Sequence, residues 1–345
     1  MTSRPNRESR SSGRPTLGQV AARAGVGQGT ASRAINGSAH ITDSTRLAVL
    51  RAAEELGYVP NRAARTLVTR RTDSVALVVS EPEERIFNQP FFARIVRGIS
   101  QAVTESGRQL LLTMVPTTEN RQRLVHYLAG QHVDGALVLS LHGDDPLPRL
   151  LEGQGVPVVV GGRPLTWLPP TYVEVDNLGG SVAAVTHLME RGRVRIATIA
   201  GTQDMNAGVQ RLAGYRQAFG SADERLVAYG DHTSESGEAA TRELLRRVPD
   251  LDAIFAASDP MALAALRTLR SLGRRVPEDV AVVGFDDTPS SQESEPALTT
   301  VHQPIEEMGR TMAELLAARI DGAADGRAIE AAVILPTQLV VRDSS

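Results

Sequence analysis

The stretch from Thr16 to Gly37 carries side chains that suit hydrogen bonding to duplex DNA. Arg33 can donate two parallel hydrogen bonds to guanine, and Gln28 can form an equivalent pair with adenine. Short polar side chains that suit phosphate oxygens lie between and after them: Thr30, Ser32 and Asn36. These types and spacings indicate a surface that reads base edges in the major groove, with Gly29 also facing the groove.

The apolar pattern of this stretch predicts two short helices. The apolar residues of the first helix recur at helical spacing: Leu17, Val20, Ala21 and Ala24. Thr16 is placed to cap this helix and Gly25 to end it, and a second helix follows over 28–35. Two short helices joined by a tight turn form a helix-turn-helix, which presents its second helix to the major groove. A generic helical hairpin is the alternative interpretation of the same pattern.

Two further helical segments follow this pair. Thr42, Asp43 and Ser44 offer N-caps for a third helix, which Gly57 ends, and a short fourth segment begins at Pro60. The sequence GVGQGT resembles a nucleotide-binding glycine loop, but that loop follows a strand, whereas a predicted helix precedes it here. We therefore expect no nucleotide site there.

The charges divide unevenly between the two ends of the chain. Residues 1–72 hold twelve arginines and four acidic residues, a net charge of +8; the total of −3 leaves −11 for the remainder. A basic head on an acidic body suggests a polyanionic partner. A solvated basic tail would explain the same charge distribution equally well, because residues 1–14 are rich in Ser, Gly, Pro and Arg and are expected to be disordered.

Several classes of protein find no support in the sequence. The chain has no cysteine, which excludes disulfides and thiolate chemistry. Its histidines are scattered and are interpreted as surface or hydrogen-bonded residues; they include His126, His132, His142 and His187. With no catalytic constellation, we expect a protein that is not an enzyme and needs no metal or cofactor.

The sequence also predicts a soluble protein that has no membrane partner and acts in the cytoplasm at the nucleoid. No apolar run reaches the roughly 18 residues that a membrane span needs. The N-terminus lacks the apolar core of a signal peptide, which a secreted sugar-binding protein would carry.

From residue 74 onward, short apolar runs alternate with amphipathic segments. The predicted strands cover 75–79, 110–115, 135–139, 156–160, 195–200, 252–256 and 280–285. The predicted helices between them cover 91–107, 119–129, 178–191 and 260–272. Continuous apolar strands separated by helices are typical of parallel sheets covered on both faces. The fold class predicted is therefore α/β, with two doubly wound subdomains and a ligand site in the cleft at the carboxyl ends of their strands.

The chain resembles the LacI/GalR family of bacterial repressors. In the head, the resemblance lies in residues 16–37, His40-Ile41-Thr42, Thr45-Arg46 and GYVPNRAARTL at 57–67. In the body, it lies in EVDNLGG at 174–180, QRLAGYRQAF at 210–219, SDPMALAALRTLRSLGRRVPEDVAVVGFDD at 258–287 and LTTVHQP at 298–304. The motifs stand in the family's order and spacing from Thr16 onward. The family implies a helix-turn-helix head on a periplasmic-binding-protein-like body.

The resemblance also implies a division into domains. A tail at 1–14 precedes a helix-turn-helix domain at 15–60, a hinge helix and linker at 61–72, and an effector-binding and dimerisation domain at 73–345. We expect an N-subdomain of about 73–172 and 301–330, and a C-subdomain of about 173–300 and 331–343.

In the head, the resemblance implies a homodimer bound to a near-palindromic DNA operator. The implied contacts include Thr16, His40 and a hinge helix with Asn61, in which Leu67 enters the minor groove beside Ala64. A helix that short is marginal in water, so we expect it to order on DNA; an ordinary linker is the alternative. The chain departs from the family at Gly27 and Gly29, which weaken the start of the recognition helix.

In the body, the resemblance implies a small effector bound at Arg211 and Asp286, which can each fork to two hydroxyl groups. Further expected contacts are Phe91, Phe92, Arg163, Ser258 and Asp259, with Trp167 as an apolar wall. Each of these residues also has an ordinary structural explanation: Asp286 or Asp259 as a helix cap, Arg211 as a surface ion pair, and one Phe as core.

A sugar is the expected effector, and a repressor of carbohydrate-utilisation genes is the expected function. A purine, a phosphorylated metabolite or an activator of the same family remains open at this stage. No heptad pattern follows Val340, so we expect a dimer rather than a coiled-coil tetramer.

Overall fold

The structure is a computed structural model that describes residues 15–36, 38, 40–59, 71–115, 118–220, 223–324 and 329–345. Two compact units divide between Thr72 and Asp73, and we call them the head and the body. The expected tail at 1–14 and the expected minor-groove contacts Asn61, Ala64 and Leu67 lie outside the described residues.

Three helices form the described part of the head: α1 (Leu17–Arg23), α2 (Gln28–Ile35) and α3 (Asp43–Leu56). Thr16 caps α1 as expected, because its hydroxyl accepts from the Gln19 N–H while the Gln19 side chain accepts from the Thr16 N–H. Thr42 caps α3, and Gly57 ends it in the left-handed conformation at φ 64°. These caps set where α1 begins and where α3 begins and ends, on either side of α2.

The head has a small core of short side chains. Its fully buried members come from all three helices: Val20, Ala21, Ala31, Ala34, Val49 and Ala52. Ala31 and Ala34 are the buried residues of α2, with Ile35 packed against the core, and the opposite side of α2 is exposed.

The body contains twelve strands among its described residues. They are β1 (Ser74–Val79), β2 (Gln109–Met114), β3 (Gly135–Leu139), β4 (Val158–Gly161), β5 (Thr171–Val175), β6 (Ile196–Ala200), β7 (Val227–Tyr229), β8 (Ala253–Ala256), β9 (Ala281–Asp286), β10 (Thr299–His302), β11 (Ala331–Leu335) and β12 (Gln338–Val340).

The helices of the body lie between these strands. They are α4 (Glu83–Asn88), α5 (Pro90–Glu105), α6 (Thr118–Tyr127), α7 (Leu147–Gly153), α8 (Asn177–Glu190), α9 (Asn206–Phe219), α10 (Ser234–Arg247), α11 (Asp259–Ser271), α12 (Pro289–Glu293) and α13 (Ile305–Ala324). A π-helical turn at Leu128–His132 extends α6, and a 3₁₀ turn at Glu224–Leu226 precedes β7.

Two six-stranded sheets confirm the predicted α/β class. The first has the order β11-β5-β4-β3-β1-β2, and the second has the order β12-β10-β9-β8-β6-β7. All pairs are parallel except β10 with β12. In β1, Val75, Leu77 and Val79 pack on one face and Ala76 and Val78 on the other, so both faces are buried, as the continuous apolar run predicted.

The subdomain boundaries differ from those expected. The first sheet contains all of β5 up to Val175, because β4 and β5 pair through Val160 with Tyr172 and Gly161 with Val173. It also contains β11, which pairs with β5 and which we had placed in the C-subdomain. The chain therefore passes between the sheets three times, after β5, after β10 and between β11 and β12. Three short connections form the hinge of the cleft.

Across the described ranges, each helix is either too short or too polar to span a bilayer.

Candidate functional site

The exposed face of α2 carries the expected DNA-contacting residues. Gln28, Gly29 and Arg33 are exposed, while Thr30 and Ser32 are half-buried. At 100° per residue, positions 28, 29, 32, 33 and 36 span about 140° of the helix surface, opposite the buried alanines. The Arg33 Nε donates to the Gly29 carbonyl at 3.2 Å, so the guanidinium lies along the helix. His40, which follows α2, is also exposed.

The start of α2 has the two glycines in the places that the sequence indicated. Gly27 occupies the N-cap, and no side chain caps the helix there. A Cβ atom on Gly29 would meet nothing within 4 Å, so the head itself does not require glycine at this position.

Two adjoining cavities lie in the cleft between the sheets of the body. The first, which we call the Arg211 cavity, has a volume of about 110 Å³. The second, which we call the Glu174 cavity, has a volume of about 100 Å³. Six residues line both cavities and mark where they meet: Phe91, Ser140, Met205, Ala207, Arg211 and Gln303. The cavities lie at the carboxyl ends of β1, β3, β4, β8 and β9, where ligands of doubly wound folds bind.

A buried ion pair forms one wall of the Arg211 cavity. The Arg211 Nη1 lies 3.4 Å from the Asp286 Oδ1, and its Nε donates to the Asn177 Oδ1 at 2.8 Å. Nη1 also donates to the Ala257 carbonyl at 2.6 Å, and the guanidinium stacks 3.7 Å from the centre of the Phe285 ring. Contacts on four sides hold the guanidinium in a single orientation toward the cavity.

The Asp286 carboxylate is also held at the end of β9. Burial raises the pKa of Asp286, while Arg211 and a hydrogen bond from Gln303 lower it. The backbone of Asp286 has a φ of 118°, which is strained for a residue with a side chain. Arg94 of α5 donates to its carbonyl at 3.2 Å and stabilises this conformation. Such strain at the cavity wall is consistent with a ligand contact.

Two buried polar atoms in the Arg211 cavity lack a partner within the described structure. They are the Ser258 Oγ and the Gln89 Nε2. A buried polar atom without a hydrogen bond costs about 1–3 kcal/mol. A ligand with several hydroxyl groups would satisfy both atoms.

A hydrogen-bonded chain of charges crosses the cleft beside these cavities. The His142 Nε2 lies 3.0 Å from the Glu81 Oε1, and its Nδ1 lies 2.8 Å from the Asp204 Oδ2. Arg85 pairs with Glu81 at 3.2 Å and with Asp231 at 3.6 Å. Glu81, Arg85 and His142 belong to the first subdomain, and Asp204 and Asp231 belong to the second. We call this set the cross-cleft latch, because it joins the two lips of the cleft.

His142 is expected to make the stability of the body depend on pH. The hydrogen bond to Glu81 raises the pKa of His142 to about 9, with a smaller effect from Asp204. A raised pKa stabilises the folded state fully below the ordinary value of 6.5, and this stabilisation is lost as the pH rises through 9. The free energy of unfolding should therefore fall less from pH 6 to pH 10 in His142→Gln than in wild type, as measured by urea denaturation.

His126→Gln is the matched control for this titration, because His126 is exposed on α6. Its unfolding free energy should follow the wild-type pH profile. A His142→Gln profile parallel to that of wild type would show that the charge on His142 does not stabilise the folded body.

Comparison with known proteins decides the family. Residues 16–61 match bacterial regulatory proteins of the lacI family, and residues 185–345 match a periplasmic binding protein-like domain. The HTH-type transcriptional regulator CelR of Thermobifida fusca is 58% identical over 338 residues, which cover 96% of this chain and 98% of that protein. The chain belongs to the lacI family of bacterial regulatory proteins.

Other relatives agree with this assignment. The HTH-type transcriptional repressor PurR of Proteus mirabilis is 34% identical and covers 88% of this chain and 90% of its own. A solved complex of the regulator CelR with cellobiose is 55% identical, covers 96% of this chain and 100% of its own, and gives a TM-score of 0.76. The lac repressor dimer bound to operator and the anti-inducer ONPF is 27% identical, with a TM-score of 0.81 and coverage of 96% and 98%. The expected family, its function in transcription regulation and its fold are therefore confirmed.

The structure of this lacI-family chain brings most of the expected effector residues to the cleft. Arg211, Ser258 and Asp286 line the Arg211 cavity, and Arg163 lines the Glu174 cavity. Phe91 is half-buried and lines both cavities. Among the expected effector residues, Arg211 and Phe91 line both cavities.

Three expected contacts differ in the structure. Asp259 lines neither cavity: it is fully buried, and its carboxylate accepts from the Thr288 N–H at 2.7 Å and the Thr300 hydroxyl. It therefore stabilises the loop after β9 and does not face a cavity. Phe92 is mainly a core residue of the first subdomain: it is 3% exposed, although it also lines the Arg211 cavity. Trp167 stacks with Arg149 at 4.3 Å and lines neither cavity.

Sequence reasoning missed several residues that line the cleft. Gln303 and Asn177 lie inside motifs that carried the family resemblance, and each follows a strand end, which was a usable signal. His142 was interpreted as a surface or hydrogen-bonded histidine, and it is hydrogen-bonded, but its place in the latch across the cleft was not predicted. Glu174 begins the motif EVDNLGG and so had the same signal, whereas Asn206 and Arg85 lie outside the motifs and contact Glu174 and Asp231, which are distant in sequence.

Proposed function

We propose that this chain is a sequence-specific DNA-binding repressor of carbohydrate-utilisation genes that binds a near-palindromic operator as a homodimer. Its DNA affinity would be set by a neutral carbohydrate in the cleft, with cellobiose as the leading candidate. The CelR relative forms a complex with cellobiose, and the lac repressor relative binds operator as a dimer. The exposed face of α2 supplies the groups that would read the operator.

The pairing of charges in the cleft carries the proposal for the effector. Each arginine that lines the two cavities has a carboxylate partner within the described structure: Arg211 with Asp286, Arg163 with Glu174, and Arg85 with Glu81 and Asp231. A phosphorylated ligand would have to compete with these carboxylates for every arginine. A neutral polyhydroxyl ligand can instead donate to the carboxylates and accept from the guanidinium groups. The cleft is therefore best suited to an uncharged sugar.

The switch would act through closure of the cleft. The latch joins the lips on one side, and a ligand bound to both subdomains adds bonds of the same kind. A ligand shifts a two-state equilibrium only by its difference in affinity for the two states. Because a repressor of carbohydrate-utilisation genes must leave DNA when the sugar is present, the sugar-bound state would be the one with lower operator affinity.

A thermal-shift panel on the full chain tests the effector class. The panel contains cellobiose, glucose, glucose 6-phosphate and guanine. Ligand at 100 times its Kd stabilises a folded protein by about 2.7 kcal/mol, so cellobiose should raise the Tm by several degrees. Stabilisation by guanine or by glucose 6-phosphate, with no response to either neutral sugar, would contradict the proposal in favour of a purine or phosphorylated effector.

A further inference from the structure

The Glu174 cavity contains a polar cluster separate from the Arg211–Asp286 pair. The Arg163 Nε lies 2.9 Å from the Glu174 Oε1 and donates to Oε2 at 3.1 Å. The Asn206 Nδ2 donates to the same Oε2 at 3.3 Å. Glu174 is 5% exposed and projects from β5 of the first subdomain, whereas Asn206 begins α9 of the second. We call these three residues the Glu174 triad.

We propose that the Glu174 triad binds the second ring of a disaccharide effector and so distinguishes disaccharides from monosaccharides. The inference rests on the proposed function, in which the first ring occupies the Arg211 cavity. The ligand class is a neutral disaccharide with hydroxyl groups on its second pyranose ring.

The arrangement of the two cavities supports this division. They have nearly equal volumes of about 110 and 100 Å³, and they meet at Phe91, Met205 and Arg211. A disaccharide consists of two rings of similar size joined through one oxygen atom, so two equal cavities in series match its shape. The half-buried Phe91 and Met205 supply apolar surface at the junction, where the carbon faces of the rings would pack.

The chemistry of the triad suits adjacent hydroxyl groups. A carboxylate accepts and a guanidinium donates, so a diol can use both at once, in charge-assisted hydrogen bonds. Burial raises the pKa of Glu174 and Arg163 opposes that rise, while the contacts with Arg163 and Asn206 orient the carboxyl group in the cavity. Buried ion pairs add little stability compared with apolar packing, so a pair that faces a cavity is better explained by recognition than by folding.

The triad also spans the cleft. Because Asn206 and Glu174 belong to different subdomains, a ring held by the triad contacts both sides of the hinge. Both subdomains also line the Arg211 cavity, so a disaccharide would add the cross-cleft contacts of the Glu174 cavity to those that either sugar makes in the Arg211 cavity.

Isothermal titration of the full chain with cellobiose and with glucose tests the proposal, and weak glucose binding is measured by competition with cellobiose. Glu174→Gln keeps the side-chain volume, and Asn206→Ala removes one donor. Each variant should lower cellobiose affinity about tenfold while changing glucose affinity less than about twofold, since a hydrogen bond to a charged group contributes that much. Ser258→Ala is the matched control in the other cavity and should weaken both sugars by the same factor.

The outcomes separate this proposal from the proposed function. Equal losses for both sugars in Glu174→Gln and Asn206→Ala, or no loss in either, would overturn the role of the triad and leave the sugar effector in place. A wild-type chain that binds neither sugar would overturn both. Thermal unfolding of each variant identifies a folding defect. Arg163→Lys keeps the charge but loses the planar guanidinium, so it should also lower the affinity for cellobiose more than the affinity for glucose.

Discussion

Arg211→Ala is expected to reduce sugar binding at least a hundredfold and to destabilise the body by about 3–5 kcal/mol. The substitution removes the hydrogen bonds to Asn177 and Ala257 and leaves Asp286 buried beside the cavity. Removing one partner of a buried ion pair is costly because the remaining charge has lost its compensation. Urea denaturation measures the stability, and titration with cellobiose below the unfolding temperature measures the binding.

Asp286→Asn is the matched control for this prediction. Asparagine keeps the volume of the side chain, and Arg211 keeps its hydrogen bonds to Asn177 and Ala257, so the loss of stability should be smaller. In the double variant, the effects should be less than additive, because the two residues contact each other at 3.4 Å. Additive effects, or an Arg211→Ala variant that binds cellobiose normally, would contradict the role given to this pair.

Arg33→Ala is expected to weaken operator binding by about 1–3 kcal/mol while leaving binding to scrambled DNA largely intact. Arg33 is exposed on the face of α2 that also carries Gln28, and its guanidinium suits the two acceptors of guanine. Fluorescence anisotropy measures both affinities, on an operator selected from random duplex DNA by the protein itself.

Arg51→Ala removes the same charge from an exposed position on α3, outside α2. A loss of charge alone should weaken operator and scrambled DNA by the same factor, because phosphate contacts carry no sequence information. An Arg33→Ala variant that behaves like Arg51→Ala would rule out base reading by Arg33.

The sequence was sufficient to predict the helices and strands whose apolar residues are periodic and deeply buried. The run at 75–79 predicted β1, because both faces of that strand are covered, and Thr42 and Gly57 predicted the ends of α3 through their capping chemistry. Short edge strands such as β7 and β12 lack such runs, and no local pattern shows which sheet β11 joins. That choice depends on pairing with β5, which lies far away in sequence.

The residues of the candidate site also differ in whether the sequence could predict them. Arg211 and Asp286 could be predicted, because they stand in motifs that the family shares and Asp286 ends a strand. His142 and Asn206 could not, because the contacts of His142 with Asp204 and of Asn206 with Glu174 form only where the two subdomains meet across the cleft. Asp259 was placed wrongly for a related reason: its position at the start of α11 suits a ligand contact as well as it suits the buried loop support that the structure shows.

The operator affinity of the full chain, with and without cellobiose, tests the central claim most directly. The claim is that a neutral sugar in the cleft controls DNA binding by the head. We expect cellobiose to raise the Kd for the selected operator about tenfold or more, within the 1–3 kcal/mol typical of coupling between sites, and to do so much less in Arg211→Ala. An operator Kd unchanged by saturating cellobiose, while guanine or glucose 6-phosphate shifts it, would contradict the account.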